Sequence, residues 1–220
     1  MSEKRCGRLG RVLVLGLGRT GESVCRYLCG LPSGRVESVT LYGGAASAPG
    51  EATRALEAAG ARVVCGTEDV EGSYDLAVAS PGIPMDSDFF CAAAAASAEV
   101  VGEPEFAYRE SPERWVAVTG TNGKTTTTSL VTHLMRAAGL DACSVGNIGT
   151  IVTDEVARRR DGEWLVAELS SFQLATTREL RPRAAVLLNV TPDHLEWHHT
   201  MEAYAAAKER AFANMVAGDL

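Results

Sequence analysis

Runs rich in apolar residues alternate with amphipathic stretches through the first hundred residues of the chain. Five such runs have the length of buried strands, at 12–15, 36–41, 62–65, 75–79 and 100–101. Helical spacing of apolar residues lies between them, around Val24 and Leu28, at 52–59 and in an alanine-rich stretch at 92–98. Buried strands separated by helices predict a parallel sheet with helices on both faces.

The alternation stops at a polar stretch, 102–114, which contains two prolines and no strand period. We place a domain boundary at its start, so that the predicted domains are 1–102 and 103–220. The alternation then restarts, with strands predicted at 115–119, 164–169 and 184–190 and helices at 125–138 and 201–215. The predicted fold class is α/β, with two parallel-sheet units in series.

Composition narrows the class of protein without identifying it. The 220 residues are 46% hydrophobic and 22% charged, which excludes a disordered chain, a collagen-like repeat and a small disulfide scaffold. The net charge of −7 argues against a nucleic-acid partner, and the one dense basic run, Arg158–Arg160, predicts a solvated turn.

The expected cellular compartment of the protein is inferred from its cysteines and from its hydropathy. No apolar stretch reaches the ~18 residues of a membrane span, and the N-terminus leads directly into a strand instead of a signal-peptide core. Without a CxxC pair or a metal-like cluster, the cysteines are interpreted as reduced thiols. They are Cys6, Cys25, Cys29, Cys65, Cys91 and Cys143. We therefore expect a cytoplasmic protein with no membrane partner.

A first glycine loop, Gly16–Gly21, fits G-x-G-x-x-G between a predicted strand and a predicted helix. In that context backbone N–H groups and a helix N-terminus face a diphosphate. A NAD site also needs an acidic residue about 20 residues further on, at the end of the second strand. The sequence there is Tyr42-Gly43-Gly44, so NAD or flavin binding, another diphosphate ligand and a structural turn all stay open.

Ser80 and Gly82 follow another predicted strand at the same edge of this sheet. Their spacing fits a rigid turn built around Pro81. The alternative is that the Ser80 hydroxyl and the glycine amide contact the ligand of the first glycine loop.

A second glycine loop gives the strongest signal in the sequence. Strand, glycine loop, Gly123-Lys124-Thr125 and helix are the parts of a phosphate-binding loop, in which amides cradle the phosphates. Lys124 would neutralise the terminal oxygens, and the Thr125 hydroxyl would bind Mg²⁺. Val118 replaces the usual first glycine, so the loop is a variant, and it predicts binding of ATP or GTP.

Two further strands of the second domain end in ionisable residues, Glu168 and His194. Carboxyl ends of parallel strands share one edge, so Lys124, Glu168 and His194 should lie on one rim. Glu168 suits Mg²⁺, which prefers oxygen ligands, or it is the N-cap of a 170–177 helical segment. His194 is either a ligand or substrate contact or a structural histidine.

The remaining candidate side chains favour structural interpretations. His198 and His199 are expected to face solvent, and His133, inside a helix, is expected to pack. By composition, Lys208 looks like a surface lysine of a helix.

At this point four blocks of sequence carry a family resemblance. Gly120–Thr126, Glu168–Leu174, Asn189–Leu195 and Ala207-Lys208 resemble the Mur ligases, which build the peptide stem of peptidoglycan. Within that family, Gly16–Gly21 and three further blocks are similar to the D-glutamate-adding members. The three are Ser80–Ile83, Gly146–Gly149 and Ser170–Leu174.

The resemblance implies a ligand for each glycine loop. It also implies a Rossmann-like N-terminal domain followed by a partial, P-loop ATPase-like α/β central domain. The N-terminal domain would hold a UDP-sugar, although Tyr42-Gly43 departs from the acidic residue that the family often has there. The implied UDP-substrate residues are Gly18, Arg19, Thr20, Ser80, Gly82, Asn147, Ser170, Gln173 and His194, with Asn147, Gln173 and His194 towards the muramoyl-alanine end. The implied ATP-binding residues are Gly120, Thr121, Asn122, Gly123, Lys124, Thr125 and Thr126.

The resemblance also implies a metal site and a catalytic set. Thr125, Glu168, His194 and Lys208 would serve Mg²⁺, with Lys208 carbamylated so that it helps to place a second ion. Lys124, His194 and Lys208 form the implied catalytic set.

The implied activity is an ATP-dependent amide ligase that adds D-glutamate to UDP-N-acetylmuramoyl-L-alanine through an acyl phosphate. ATP and Mg²⁺ are the implied cofactors, and a monomer is expected. Family members have a third domain, and this chain stops within the central one, so the full-length form is expected to be active and these 220 residues alone inactive. An inactive nucleotide-binding fragment and another amino-acid specificity are the alternatives.

Overall fold

A computed structural model of the chain describes residues 7–220, so the predicted thiol of Cys6 lies outside the described residues. The described residues form two compact units, divided between Phe106 and Ala107. That division lies inside a helix, Glu103–Glu110, which begins directly after the predicted boundary.

The first unit is a parallel sheet with helices in its connections. Its strands are β1 (Gly10–Leu15), β2 (Val36–Tyr42), β3 (Arg62–Val64), β4 (Leu76–Ala79) and β5 (Val100–Gly102). Its helices are α1 (Arg19–Cys29), α2 (Glu51–Ala58) and α3 (Asp88–Ala96), and α4 (Glu103–Glu110) follows β5. The strand order β3-β2-β1-β4-β5, with every pairing parallel, is that of a Rossmann-type sheet.

The second unit is also a parallel α/β unit. Its strands are β6 (Trp115–Thr119), β7 (Ala142–Gly146), β8 (Trp164–Glu168) and β9 (Ala184–Leu187), in the order β7-β8-β6-β9. Its helices are α5 (Lys124–Ala137), α6 (Val152–Arg158), α7 (Ser171–Ala175), α8 (Leu195–His198) and α9 (Met201–Glu209), followed by a 3-10 turn, Arg210–Phe212. The predicted α/β class is confirmed.

Both faces of the first sheet are covered by helices, and the alternation of β1 divides its side chains between two cores. Val12 lies in a cluster with Leu28 of α1, whereas the next residue, Leu13, lies in a cluster with Phe89 of α3. Each such buried side chain contributes about 1.5–3 kcal/mol. Burial on both faces is the reason that these strands have continuous apolar sequences instead of alternating ones.

The two sheets place their loops at positions where α/β proteins bind ligands. In the first unit β1 pairs with β2 on one side and with β4 on the other, so the strand order reverses at β1 and the switch point lies at its carboxyl end. In the second unit β6 lies between β8 and β9, so the loops after these three strands share one edge.

The segment 102–114, at whose start the domain boundary was predicted and in which no element was predicted, contains α4. Two of its acidic residues, Glu103 and Glu105, are 2% and 0% exposed, and Phe106 is buried. Polarity misleads here because tertiary burial, and not residue type, decides whether such a stretch is helical.

Two elements and two boundaries in the second unit also differ from the prediction. Strand β7 and helix α6 were not predicted, β9 ends at Leu187 instead of residue 190, and α9 ends at Glu209 instead of residue 215. The predicted solvated turn at Arg158–Arg160 is wrong for Arg159, whose guanidinium is half-buried and donates to Ser111 Oγ at 2.6 Å.

Candidate active site

The second glycine loop joins β6 to α5 and depends on two left-handed glycines. Gly120 has φ 149° and Gly123, the N-cap of α5, has φ 82°, conformations that glycine adopts without a Cβ clash. The first hydrogen bond of the helix runs from Thr127 N to Gly123 O at 3.0 Å. The N–H groups before it lie at the positive end of the helix and can receive phosphate oxygens.

Lys124, the first residue of α5, folds back over this loop. Its Nζ donates to Gly120 O at 2.9 Å and to Thr121 O at 2.8 Å. The ammonium is thus already held beside the amides, where phosphate oxygens can replace the two carbonyls as its acceptors.

Asn189, two residues after β9, braces the same loop. Thr121 N donates to Asn189 O at 3.0 Å, and Asn122 N donates to Asn189 Oδ1 at 2.9 Å. The Asn189 amide donates in return to Asn122 O at 3.1 Å. This residue was absent from the predicted site, although it begins the block Asn189–Leu195 that contributed to the family resemblance.

Glu168, the last residue of β8, meets the start of α5. It is 1% exposed, and its Oε2 accepts from Thr125 Oγ1 at 2.8 Å. Its Oε1 accepts from Asn147 Nδ2 at 2.9 Å. The strand register explains the meeting, since Glu168 lies opposite Val118 of β6 and Gly146 of β7.

The alternative role of Glu168 as a helix N-cap is wrong. Ser170 is the N-cap of α7, and its Oγ accepts from Gln173 N at 3.2 Å. Gln173 Oε1 accepts from Ser170 N at 2.9 Å, which completes a capping box.

Thr125 and Glu168 together supply the donor atoms that Mg²⁺ prefers. A hydroxyl and a carboxylate are hard oxygen ligands, and the ion keeps the rest of its octahedron for water and substrate phosphates. The chemistry of this pair therefore fits a magnesium ion beside the phosphate loop.

Lys208, on α9, is buried against the same loop. It is 1% exposed, its Nζ donates to Gly120 O at 2.8 Å, and the ammonium lies 4.5 Å from the centre of the Tyr204 ring. The surface-lysine interpretation is therefore wrong. A signal for burial was present in the spacing, because Tyr204, Ala207 and Ala211 form one buried stripe with Lys208.

Burial lowers the pKa of Lys208 from 10.5 to about 8, and the Lys124 ammonium lowers it further, whereas Asp193 acts in the opposite direction. Both lysines donate to one carbonyl, Gly120 O, which explains their mutual repulsion. A lysine with this pKa has an appreciable neutral fraction near pH 7 to 8, and a neutral amine is a nucleophile.

Tyr204 connects α9 to the phosphate loop and was not predicted. Its hydroxyl lies 3.0 Å from Thr121 Oγ1, and that threonine oxygen also accepts from Thr191 N at 3.0 Å. Burial raises the pKa of Tyr204, so its phenol stays protonated and can donate.

In the first unit, the predicted ligand residues lie at the switch point of the sheet. Gly18 is the N-cap of α1, so Arg19 and Thr20 begin the helix. A Cβ on Gly21 would lie 1.9 Å from Gly16 O, so only glycine lets the helix approach the loop so closely.

Ser80, at the end of β4, faces the same loop. A Cβ built on Gly16 would lie 2.9 Å from Ser80 Oγ, and this hydroxyl is buried without a hydrogen-bond partner among residues 7–220. Gly82 is exposed, with open space around its Cα. An unpaired buried hydroxyl is costly, and a bound ligand would remove that cost.

Comparison with known proteins shows which family has a similar sequence. The profile of the Mur ligase middle domain matches residues 118–220. The UDP-N-acetylmuramoylalanine–D-glutamate ligase of Geobacillus kaustophilus is 40% identical over 212 residues, 95% of this chain and 46% of the relative. That of Pelotomaculum thermopropionicum is 43% identical over the same shares.

The chain belongs to the Mur ligase family. It spans about half the length of the curated relatives that it matches. A UDP-N-acetylmuramate-alanine ligase from Thermotoga maritima has a similar fold, with a TM-score of 0.50 at 21% identity over 93% of this chain and 47% of that one.

The histidines of this Mur ligase chain depart from the prediction in two of four positions. His198 is buried, and its Nε2 lies 2.8 Å from Ser171 Oγ; burial, followed by the charge of Lys208, lowers its pKa. His133 is exposed on α5 instead of packed, and His199 is exposed as predicted.

His194 begins α8 in a left-handed conformation, with φ 52°. Its Nε2 lies 3.5 Å from Asp193 Oδ2, and its ring lies 4.8 Å from that of Phe172. Within residues 7–220 it makes no hydrogen bond to Glu168 or to the phosphate loop. The structure therefore joins Lys124 to Lys208 through Gly120 O, and Thr125 to Asn147 through the Glu168 carboxylate. His194 lies outside both groups, among aromatic rings.

No helix within residues 7–220 has both the length and the apolar character needed to cross a bilayer. The described cysteines of the chain are free thiols, and burial raises the pKa of Cys25 and Cys143 to about 12.

Proposed function

We propose that the full-length protein is an ATP-dependent ligase that joins D-glutamate to UDP-N-acetylmuramoyl-L-alanine. The observation that carries this proposal is the convergence of Lys124 and Lys208 on Gly120 O, beside the hydrogen-bonded pair of Thr125 and the buried Glu168. Relatives at 40% and 43% identity bear the name of that ligase, and this supports the choice of substrates.

ATP would bind with its phosphates on the loop Gly120–Thr126. The free N–H groups at the start of α5 and the Lys124 ammonium would balance the charge of the β- and γ-phosphates. Because Asn189 and Tyr204 fix the loop from two sides, these donors would need little rearrangement when the charge develops.

Thr125 and Glu168 would hold Mg²⁺, which supplies charge neutralisation on the phosphate oxygens. Lys208 would attack CO₂ through its neutral amine and lose a proton, which gives a carbamate with two oxygen donors. Its lowered pKa and its burial favour this reaction. His194 would contribute to the same magnesium site.

The UDP part of the substrate would lie on the first glycine loop, with the diphosphate at the N-terminus of α1 and the Ser80 hydroxyl as a donor. Asn147, Ser170 and Gln173 would serve the muramoyl-alanine part. In the unliganded arrangement Ser170 and Gln173 pair with each other, so their positions are set by the fold before any ligand binds.

The proposed reaction has two steps. A carboxylate oxygen of the alanine attacks the γ-phosphorus of ATP. The bond from that phosphorus to the β,γ-bridging oxygen breaks, so that ADP departs and an acyl phosphate is formed. The amine of D-glutamate then attacks the acyl carbon, loses a proton and displaces inorganic phosphate, which forms the amide. ATP as the energy source suits the cytoplasm as the place of reaction.

Phosphate release by the full-length protein tests this proposal. Release should need ATP, UDP-N-acetylmuramoyl-L-alanine and D-glutamate together, and residues 1–220 alone, which span 46% of the relatives, should release none. Equal turnover with L-lysine or D-alanine would overturn the D-glutamate specificity. Ligation by the 220 residues alone would overturn the view that the other half of the protein is required.

A further inference from the structure

The first unit lacks the acidic residue that nucleotide sites of this type have at the end of their second strand. Such a carboxylate accepts a hydrogen bond from the nucleoside, but β2 ends in Tyr42, followed by Gly43 and Gly44. Tyr42 cannot replace it, because its side chain is 1% exposed and its hydroxyl accepts from Glu71 N at 3.1 Å.

The two glycines cannot be replaced by an acidic residue either. A Cβ on Gly43 would lie 2.4 Å from Ser47 Oγ and 3.0 Å from Leu17 Cβ. Gly44 has φ 90°, a conformation that side chains rarely adopt. The fold therefore keeps this strand end free of side chains, and any carboxylate must come from another segment.

Glu68 supplies a carboxylate at this place. Its Oε1 lies 3.8 Å from the position that a Cβ on Gly44 would occupy. The segment is held there by two hydrogen bonds, from Gly43 N to Val64 O at 2.9 Å and from Gly66 N to Ser47 Oγ at 3.2 Å. Both bonds join the residues after β2 to the residues at the end of β3.

The carboxylate of Glu68 is available to a ligand. The residue is exposed, and in the described part of the chain no hydrogen bond or ion pair involves it. Leu17, in the first glycine loop, lies beside Gly43, so the carboxylate and the diphosphate site occupy neighbouring positions along one sheet edge.

We propose that Glu68 recognises the nucleoside of the UDP-linked substrate, in place of an acidic residue at the end of β2. Its carboxylate accepts a hydrogen bond from a ribose hydroxyl or from the imide N–H of uracil. This inference rests on the proposed binding of a UDP-sugar by the first unit. Glu68 is a specificity-determining residue and takes no part in the chemical steps.

Calorimetric titration of the full-length protein with UDP tests the proposal. Glu68→Gln should weaken UDP binding roughly tenfold or more, since hydrogen bonds to charged groups contribute about 1.5–3 kcal/mol, and should leave the affinity for inorganic pyrophosphate unchanged. Glu71→Gln is the matched control, because it removes the same charge from the same exposed loop and should bind UDP like the wild type.

A second titration, with 2′-deoxy-UDP, identifies the group that Glu68 contacts. Weak binding of this ligand by the wild type, with no further loss in Glu68→Gln, indicates the 2′-hydroxyl. Equal binding of both nucleotides by the wild type, with an equal loss for both in the variant, indicates the 3′-hydroxyl or the imide. Either result supports the proposal.

Three results would overturn it: UDP affinity of Glu68→Gln within twofold of the wild type, equal losses in both variants, or an equal loss for pyrophosphate. The wild type's failure to bind UDP would instead overturn the proposed function of the first unit, and the role of Glu68 with it.

Discussion

At the scale of single residues, Lys208 shows how far burial can alter a side chain that looks ordinary in sequence. Its neighbours Ala205, Ala206 and Glu209 suggest a plain surface helix, and only the resemblance to the Mur ligases singled it out. The depressed pKa arises from tertiary contacts, above all burial and the Lys124 ammonium, and these cannot be derived from local sequence.

The lowered pKa of Lys208 should make the free energy of unfolding depend on pH. Between pH 8 and pH 10.5 the unfolded chain holds the Lys208 proton and the folded chain has released it, so stability rises with pH through that window. Below about pH 8 both states are protonated and the contribution is constant. In CO₂-free buffer, the denaturation midpoint of the wild type should therefore rise relative to that of Lys208→Met between pH 8 and pH 10.5.

Comparison with Lys208→Met cancels the groups that both proteins share, such as tyrosines and other lysines. A difference between the two midpoints that stays constant from pH 7 to 10.5 would show that Lys208 has an ordinary pKa.

At the scale of secondary structure, what could be predicted depended on how strongly each segment is patterned. The strands at 12–15 and 115–119 lie close to their observed bounds because central strands of covered parallel sheets are continuously apolar. Strand β7, Ala142–Gly146, was missed because alanine, cysteine, serine and glycine give no strong period. Helix α7, Ser171–Ala175, is shorter than the 170–177 helical segment expected there, because five residues are too few for a helical period to define its ends.

The capping box that starts α7 should contribute to stability and to substrate binding together. Ser170→Ala removes the acceptor for Gln173 N and should destabilise the protein by about 1 kcal/mol. Because the released Gln173 is a proposed substrate contact, the KM for UDP-N-acetylmuramoyl-L-alanine should also rise, whereas the KM for ATP should not.

Ser129→Ala, at an exposed serine of α5, is the matched control and should change neither quantity. Wild-type stability and KM in Ser170→Ala would mean that the box is unimportant for α7.

At the scale of the whole molecule, the sequence predicted which strands end in functional residues. It was less informative about the contacts between their side chains. The rim expected for Lys124, Glu168 and His194 follows from strand order alone, and the phosphate loop and Glu168 do meet there. The braces from Asn189 and Tyr204, and the burial of His198, depend on long-range packing. Such contacts join residues up to 83 positions apart, and a single sequence does not encode them locally.

The transfer of ¹⁸O tests the central claim, amide ligation through an acyl phosphate, most directly. UDP-N-acetylmuramoyl-L-alanine labelled with ¹⁸O in its alanine carboxylate is incubated with ATP, Mg²⁺, D-glutamate and the full-length protein, and the products are read by mass spectrometry. We expect ADP, the D-glutamyl amide and inorganic phosphate with one ¹⁸O, and no product from Lys124→Ala. Label in AMP, or amide formation with unlabelled phosphate, would contradict it.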